Sequence, residues 1–333
     1  MRPGPVLVIQ TAFLGDVVLT TPLLSRLAAR FGPVDVVTTP AAAELLETHP
    51  AVRRVIRYDK RGADRGIGGF RRLAERLADT RYAGVYLPHR SWRSAALAFS
   101  AHIPDRIGFA DSPAALLYTE RVARPRGGHE SARLLALAGA GPSPEVTLAL
   151  TEADRSAAAA WLKARGIATP FVAVAPGSIW GTKRWPGYAE LVARLDRPVV
   201  VLGSAADGEL AATVAAAAPG RAHSAAGALS LRESAAIIER AALLVTNDSA
   251  PLHFATGVGT PVVAVFGPTT PSQGFGPIDR AGSVVQHTGL WCRPCSPHGP
   301  ASCPLGHHAC MQGIGVERVL AAVTATPTTA PAH

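Results

Sequence analysis

Short apolar runs along this chain alternate with stretches whose apolar positions recur every three or four residues. The runs suit strands buried inside a parallel sheet, and the spaced stretches suit helices lying on it. In the first half the pattern predicts strands at VLVIQ (6–10), VDVVTT (34–39), VRRVIRY (52–58) and AGVYLP (83–88). Helical spacing fills residues 16–30, AAAELLETH (41–49), FRRLAERLAD (70–79) and SWRSAALAFSAH (91–102). The second half repeats the alternation: strands at FVAVA (171–175), PVVVLGS (198–204), LLVTN (243–247) and PVVAVFG (261–267), with helices over 186–195, 207–218 and 231–241. Pro186 suits a first helical turn. Alternation of this kind predicts an α/β protein of two doubly wound, Rossmann-like domains. The expected division is 1–165 and 166–323, with the join near the Pro-rich GPSP (141–144) or around residues 166–170. Residues 324–333, TATPTTAPAH, have the composition of a disordered tail.

Composition agrees with that reading. At 333 residues, 48% hydrophobic and 17% charged, the chain can bury two cores of middling size. No run of eighteen apolar residues exists, and MRPGPVLVIQ lacks the apolar region and cleavage site of a signal peptide. The expected location is therefore the cytoplasm. Net charge is +9, and residues 51–133 hold all of the excess, with 17 Lys and Arg against 8 Asp and Glu. Such a surplus suits an anionic partner, whether a phosphorylated substrate, an acidic membrane surface or nucleic acid. A solvated arginine-rich face accounts for the charge equally well.

Ligands of open α/β sheets bind beyond the carboxyl ends of the strands, so the loops there carry the chemistry. After FVAVA comes PGSIWGTKRWP (176–186), in which Gly177 and Gly181 permit close backbone approach. Ser178 and Thr182 add hydroxyls, and Lys183 and Arg184 add cations just before a helix start. Such a loop can cradle phosphate, though it is not a Walker A sequence, and a plain surface turn would look similar. After LLVTN comes NDSAPLHFATGVGTP (247–261). Capping accounts for Asp248 or Ser249 at the start, Pro251 in the first turn and Gly257 or Gly259 at the end. It does not account for His253, which is either a core histidine or a ligand contact. In the first half, TAFLGD (11–16) lacks the Gly-x-Gly-x-x-Gly of a dinucleotide site. Asp16 stands at a helix start, where it complements the dipole or serves as a general base.

GDVVLTTPLL, PGSIWGTKRWP and NDSAPLHFATGVGTPVVAVFGPT, with RIGF (106–109) and HESAR (129–133), together resemble the ADP-heptose:lipopolysaccharide heptosyltransferases of glycosyltransferase family nine. The likeness runs over nearly the whole chain in the correct order. It implies a GT-B fold, two Rossmann-like domains facing across a cleft, with acceptor bound by the first and ADP-heptose by the second. By motif position Asp16 resembles the catalytic base, and Ser178, Thr182 and Lys183 resemble contacts to the donor phosphates. Asp248, Ser249, Ala250 and His253 fall in the motif that also faces the donor. The family commonly has Gly where this chain has Ala250. Glu209 is a candidate ribose or adenosine contact. No D-x-D motif is present to hold a catalytic Mg²⁺, so Lys183 and helix N-terminal amides would stabilise the departing diphosphate. The resemblance also implies inversion at the transferred carbon. Arg90, Arg93 and Arg106 are the candidate acceptor contacts, since guanidinium binds phosphate or carboxylate in bidentate fashion. The expected acceptor is phosphorylated and lipid-linked, at an anionic inner membrane that the protein touches from the cytoplasm.

All four cysteines, Cys292, Cys295, Cys303 and Cys310, lie in one loop-rich segment. A disulfide is disfavoured in the cytoplasm. C-x₂-C followed by two further cysteines matches a structural zinc site in type, although the second half lacks the usual short spacing. His298, His307 or His308 could replace a ligand. Free thiols and an iron–sulfur cluster are the alternatives. Two other functions compete with sugar transfer to lipopolysaccharide. One is a GT-B enzyme acting on another nucleotide sugar or acceptor, a 2-epimerase included. The other is a non-catalytic protein binding an anionic ligand, although no helix-turn-helix or aromatic-basic RNA motif supports nucleic acid.

Overall fold

The computed structural model describes residues 4–278 and 282–327. It divides into two compact units, Met1–Ala149 and Leu150–His333. The first carries β1 (Val6–Ile9), β2 (Val34–Thr38), β3 (Val52–Arg57), β4 (Gly84–Leu87), β5 (Asp105–Phe109) and β6 (Glu120–Val122). All pair in parallel, in the order β3-β2-β1-β4-β5-β6. The second carries β7 (Val172–Ala175), β8 (Val199–Val201), β9 (Ala222–Ser224), β10 (Leu243–Asn247), β11 (Val262–Phe266) and β12 (Gly282–Gln286). It has the same parallel topology, β12-β11-β10-β7-β8-β9. Both are doubly wound α/β layers, as the alternating pattern predicts. Strand order reverses between β1 and β4 in one and between β7 and β10 in the other, and those two points are where such sheets bind ligands.

The central strands β1, β2, β4, β7, β10 and β11 are buried along their whole length, which is why their apolar runs stood out in the sequence. The outer strands β5, β6, β9 and β12 escaped the pattern because they are short or carry exposed and polar residues. The helix Gly66–Asp79 shows the expected two faces. Leu73, Ala74 and Leu77 are buried, while Arg71, Arg72 and Arg76 are exposed. Pro186 falls one residue before the Gly187 cap of the helix Tyr188–Arg194, not within its first turn.

The join at Ala149–Leu150 lies earlier than the expected boundary at 165/166 and nearer the Pro-rich 141–144 segment. Its cause is the helix Glu152–Lys163, which packs on the helix Leu231–Arg240 of the second unit. Arg155 binds Glu239 through two bonds of 2.8 and 2.9 Å, and Arg232 pairs with Asp154. The expected tail also begins too early. Thr324 and Ala325 belong to the helix Val316–Ala325, which lies against β11 and β12. Thr326 is buried, its hydroxyl donating to the Ala322 carbonyl at 2.7 Å. Residues 328–333 lie outside the described residues.

One charge inside the first sheet has a measurable consequence. Asp35 on β2 is fully buried, and Arg53, Arg54 and the Tyr82 hydroxyl all donate to its carboxylate. Burial works against ionisation, yet these bonds and cations hold the Asp35 carboxyl below its ordinary range. Burial and Asp35 push Tyr82 up to about 12. Because the folded value lies below the unfolded one, this stabilisation is complete above the unfolded carboxylate pKa of about 4 and is lost as pH falls below it. Asp35→Ala, which leaves the buried Tyr82 hydroxyl without its acceptor, should cost about 3 kcal/mol at neutral pH. Urea unfolding at pH 7 and pH 3 checks both points. The deficit should shrink at the lower pH.

Candidate active site

The second unit gathers its polar residues at the β7–β10 switch point. The loop after β7 ends in a short 3₁₀ turn, Gly181–Lys183, and the loop after β10 leads into the helix Ala250–Val258. Asn247, the last residue of β10, ties the two together. Its Oδ1 accepts from the Trp185 backbone N–H (3.2 Å) and the Tyr188 hydroxyl (3.0 Å), and its Nδ2 donates to the Pro176 carbonyl at 2.8 Å. Lys183 Nζ then meets Asp248 Oδ2 at 2.6 Å, with both residues more than nine-tenths buried. The Thr269 hydroxyl donates to the same carboxylate oxygen, also at 2.6 Å. The ammonium is thus held at a defined point beside the strand ends, at the cost of sharing its charge with Asp248.

Other expected contacts stand around this pair. Ser178 accepts from the Trp180 N–H at 3.2 Å, and the Thr182 hydroxyl donates to the Pro300 carbonyl. Ser249 occupies the N-cap position without a side-chain cap bond, Ala250 begins the helix with Pro251 beside it, and Gly259 closes it in the left-handed region. His253 is buried, its ring edge-to-face with Phe275 at 6.2 Å. Glu209 is exposed in the first turn of the helix Gly208–Ala216, beyond β8. Gly177 and Gly181 do allow close approach, but protein groups use the space. A Cβ at Gly177 would stand 2.5 Å from the Asp207 carboxylate, and one at Gly181 would stand 2.5 Å from the Ala301 carbonyl.

In the first unit, Asp16 sits in the first turn of the helix Leu14–Leu19, beyond β1 at the other switch point. Its Oδ2 accepts the Phe13 backbone N–H at 3.2 Å, so the carboxylate has a capping role whatever else it does. Arg90, in the loop after β4, pairs with Asp111 at 2.6 Å, both side chains half-exposed. Arg93 is exposed one turn on, its guanidinium 5.8 Å from the Tyr58 ring centroid. Arg106 stands apart from these two. It lies at the amino end of β5, the wrong end for a ligand of a parallel sheet. Its guanidinium donates to the carbonyls of Leu117 (2.7 Å) and Ile103 (2.6 Å), so it anchors a turn. The sequence reading missed an open depression beyond the carboxyl end of β5, lined by Asp111 with Arg124, Arg126 and Arg133. The only signal for it was the arginine surplus and the HESAR motif, neither of which locates a hollow.

The four cysteines lie in one segment, and none of them is paired in a disulfide. Among the described residues, no three His, Cys, Asp or Glu side chains already form a coordination sphere. The segment nonetheless brings the sulfurs into electrostatic reach of each other. Burial, together with Cys295, Cys303 and Cys292, pushes the Cys310 thiol up to about 11. Cys303 goes the other way, because the backbone N–H of His308, and those of Leu305, Gly306 and His307, point at it and favour the thiolate. Among the described residues, no helix is long and apolar enough to cross a membrane.

The profile of glycosyltransferase family 9 (heptosyltransferase) matches residues 70–302. The chain is 29% identical over 297 residues to lipopolysaccharide heptosyltransferase 2 of Salmonella typhimurium, covering 80% of this chain and 83% of that one. Among solved structures, it superposes on a glycosyl transferase family 9 protein from Veillonella parvula with a TM-score of 0.86, at 24% identity and 97% coverage of both chains. It superposes on the Escherichia coli ADP-heptose lps heptosyltransferase II with a TM-score of 0.79, at 26% identity over 97% of this chain and 98% of that one. Two parallel sheets of the same strand order, polar loops at each switch point and these likenesses agree, and the chain belongs to glycosyltransferase family 9, the heptosyltransferases.

Proposed function

We propose that this glycosyltransferase moves a heptose from ADP-heptose to the phosphorylated inner core of lipopolysaccharide, with inversion and without a catalytic metal. The observation that carries the reading is the buried Lys183–Asp248 pair at the β7–β10 switch point. Asp248 and Thr269 hold the ammonium where a nucleotide diphosphate meets the strand ends and the start of the helix Ala250–Val258. There Lys183, with Ser178, Thr182, Ser249 and the amide of Ala250, stabilises the charge that develops on the leaving ADP. His253 and Glu209 complete the donor side. Asp16 removes the proton from the acceptor hydroxyl as it attacks the anomeric carbon. The likeness to heptosyltransferases of lipopolysaccharide supports heptose and ADP as the transferred sugar and the nucleotide. Mass analysis of products after incubation with ADP-heptose and core acceptors, with EDTA present, tests the whole reading. A gain of one heptose is expected. Transfer only from another nucleotide sugar, or only with added Mg²⁺, would overturn it.

Acceptor recognition falls to the first unit. Arg90 and Arg93 stand beyond β4, and Arg124, Arg126 and Arg133 line the hollow beyond β5, so phosphate or carboxylate groups of the acceptor meet several guanidinium groups. Arg90→Ala or Arg126→Ala should raise the acceptor KM about tenfold, the loss of one exposed charge-assisted contact, with ADP affinity unchanged. Unchanged acceptor kinetics in both variants would return these arginines to the solvated surface. The exposed Arg71, Arg72 and Arg76 add long-range attraction to the anionic inner leaflet from the cytoplasmic side, which salt should weaken. Cys292, Cys295, Cys303 and Cys310 hold one structural zinc ion. The amides gathered at Cys303 suit a thiolate ligand, and the other three sulfurs must close in on it.

A further inference from the structure

Of the large apolar side chains that the described residues of the first unit leave exposed, all but Phe13 stand on one layer. Ile67 lies in the first turn of the helix Gly66–Asp79, and Trp92 and Phe99 lie near the two ends of the helix Trp92–Ser100. Leu116 is the middle residue of the 3₁₀ turn Ala115–Leu117. The two helices pack on each other, and the turn packs on the second helix. Their inner sides share one core, in which Leu77, Leu97 and Ala114 meet β1 and β4, so their outer sides face solvent together. The four apolar side chains are 49–74% exposed. Trp92 and Phe99 are about two helical turns apart and form, with Ala96 between them, one stripe about 10 Å long. A surface helix turns polar residues outward at such positions. Single exposed apolar residues are ordinary, but four on one layer are not scatter.

Cations accompany the apolar residues. Arg61, Arg65, Arg71, Arg72, Arg76 and Arg93 are exposed on the same two helices or on the loop that leads into the first. Residues 60–79 and 91–100 together hold seven Lys and Arg against three Asp and Glu. One of the three acids, Asp64, is engaged by the Asp59 backbone N–H at 2.9 Å. We propose that this layer docks on an anionic lipid bilayer, with Ile67, Trp92, Phe99 and Leu116 sunk into the interfacial region and the arginines on headgroup phosphates. The inference rests on the lipid-linked acceptor of the reading above, and adds a short-range apolar anchor to its long-range attraction. A second copy seated on this face would set two cationic layers against each other, which like-charge repulsion opposes. A protein partner calls for a contiguous apolar patch centre with charges at its rim. Here arginines are interleaved with the apolar tips, an arrangement that suits headgroups, where phosphate takes guanidinium while aromatic rings rest at the acyl boundary. Docking by Trp92 also brings its neighbour Arg93, an expected acceptor contact, to the surface that holds a lipid-linked substrate.

Flotation of the full chain with vesicles of phosphatidylglycerol and phosphatidylethanolamine, beside vesicles of phosphatidylcholine alone, measures docking without acceptor or nucleotide. Wild-type protein should bind the anionic vesicles, lose part of that binding in high salt and keep the rest. Trp92→Ser combined with Phe99→Ser should weaken binding about a hundredfold, about tenfold for each ring withdrawn from the interface. The salt dependence and melting temperature should not change, because both positions are exposed. Bromine carried on the acyl chains should quench the indole fluorescence of wild-type protein, and Trp92→Phe, which keeps an aromatic ring, should remove that quenching. The quenching decides the matter alone if the double variant folds poorly. Absence of wild-type binding to anionic vesicles overturns the proposal, as does quenching that persists in Trp92→Phe. Binding that high salt abolishes entirely and the double variant retains removes the apolar anchor. A wild-type dimer in sedimentation that the double variant breaks would assign the face to a second copy and overturn the bilayer. Vesicle binding without any sugar transfer leaves the docking surface standing while the heptose-transfer reading falls. Transfer to a delipidated acceptor by protein that ignores vesicles does the reverse.

Discussion

Asp16→Asn lowers the rate of sugar transfer by two or more orders of magnitude and leaves ADP affinity unchanged. A positioned general base contributes roughly 10²–10⁴ in rate, and the acceptor hydroxyl needs one when it attacks. Asparagine is chosen because it separates chemistry from folding. Asp16 accepts the Phe13 N–H at 3.2 Å, and an amide oxygen accepts that bond equally well, so the start of the helix Leu14–Leu19 is preserved. What the amide cannot do is take a proton at neutral pH. Single-turnover transfer with saturating acceptor, beside calorimetric ADP binding, reads the two effects apart. Near-normal turnover in this variant would leave Asp16 as a helix cap and send the search for the base elsewhere.

Lys183→Met should lower kcat by about 10²–10³, the usual loss when one preorganised charge-stabilising group is removed from a site where charge develops. The variant has a second effect that must be separated from the first. Asp248 is buried beside Lys183, and removing the cation strands a carboxylate whose remaining partner is the Thr269 hydroxyl. A stranded buried charge costs about 3–5 kcal/mol and could distort the loop by itself. The double variant Lys183→Met with Asp248→Asn removes that charge and keeps an acceptor for Thr269. It should regain thermal stability while remaining as slow as the single variant. Recovery of activity in the double variant would mean that the ammonium serves only to balance Asp248, and that other groups stabilise the leaving diphosphate.

The two readings of Asp16 show how far a sequence carries. A carboxylate three residues into a helix is placed by local rules, and those rules are visible in a string of letters. The same is true of Ser249, Pro251 and Gly259, which the structure puts at the start and end of one helix as their residue types require. The buried strands were equally legible, because a strand covered on both faces must be apolar throughout. The outer strands were not, since residues such as Glu120 and Arg121 on β6 face solvent and carry no periodic signal. The division between units falls at Ala149–Leu150 for a related reason. The helix Glu152–Lys163 belongs to the second unit through Arg155–Glu239 and Arg232–Asp154, pairs separated by 84 and 78 residues in sequence.

Long-range pairing also decided the character of the candidate site. Lys183, Asp248 and Arg106 were all singled out from the sequence, and nothing in it said which would meet. Folding joins Lys183 to Asp248 across 65 residues, since parallel β7 and β10 are neighbours in the sheet and their loops emerge at the same edge. It leaves Arg106 at the opposite end of its strand, bonded to backbone carbonyls. Arginine type and motif position were the same kind of clue in Arg90 and Arg106, but the direction of a strand separates them. By itself the sequence determined the α/β class, the two doubly wound halves and the loops that carry chemistry, because helix caps and strand burial act within a few residues. Only the tertiary structure decided which charges are paired, which arginines line a hollow and that the cysteine segment braces the Gly181–Lys183 turn. Those depend on strand order and on contacts between residues far apart in the chain, which local composition does not encode.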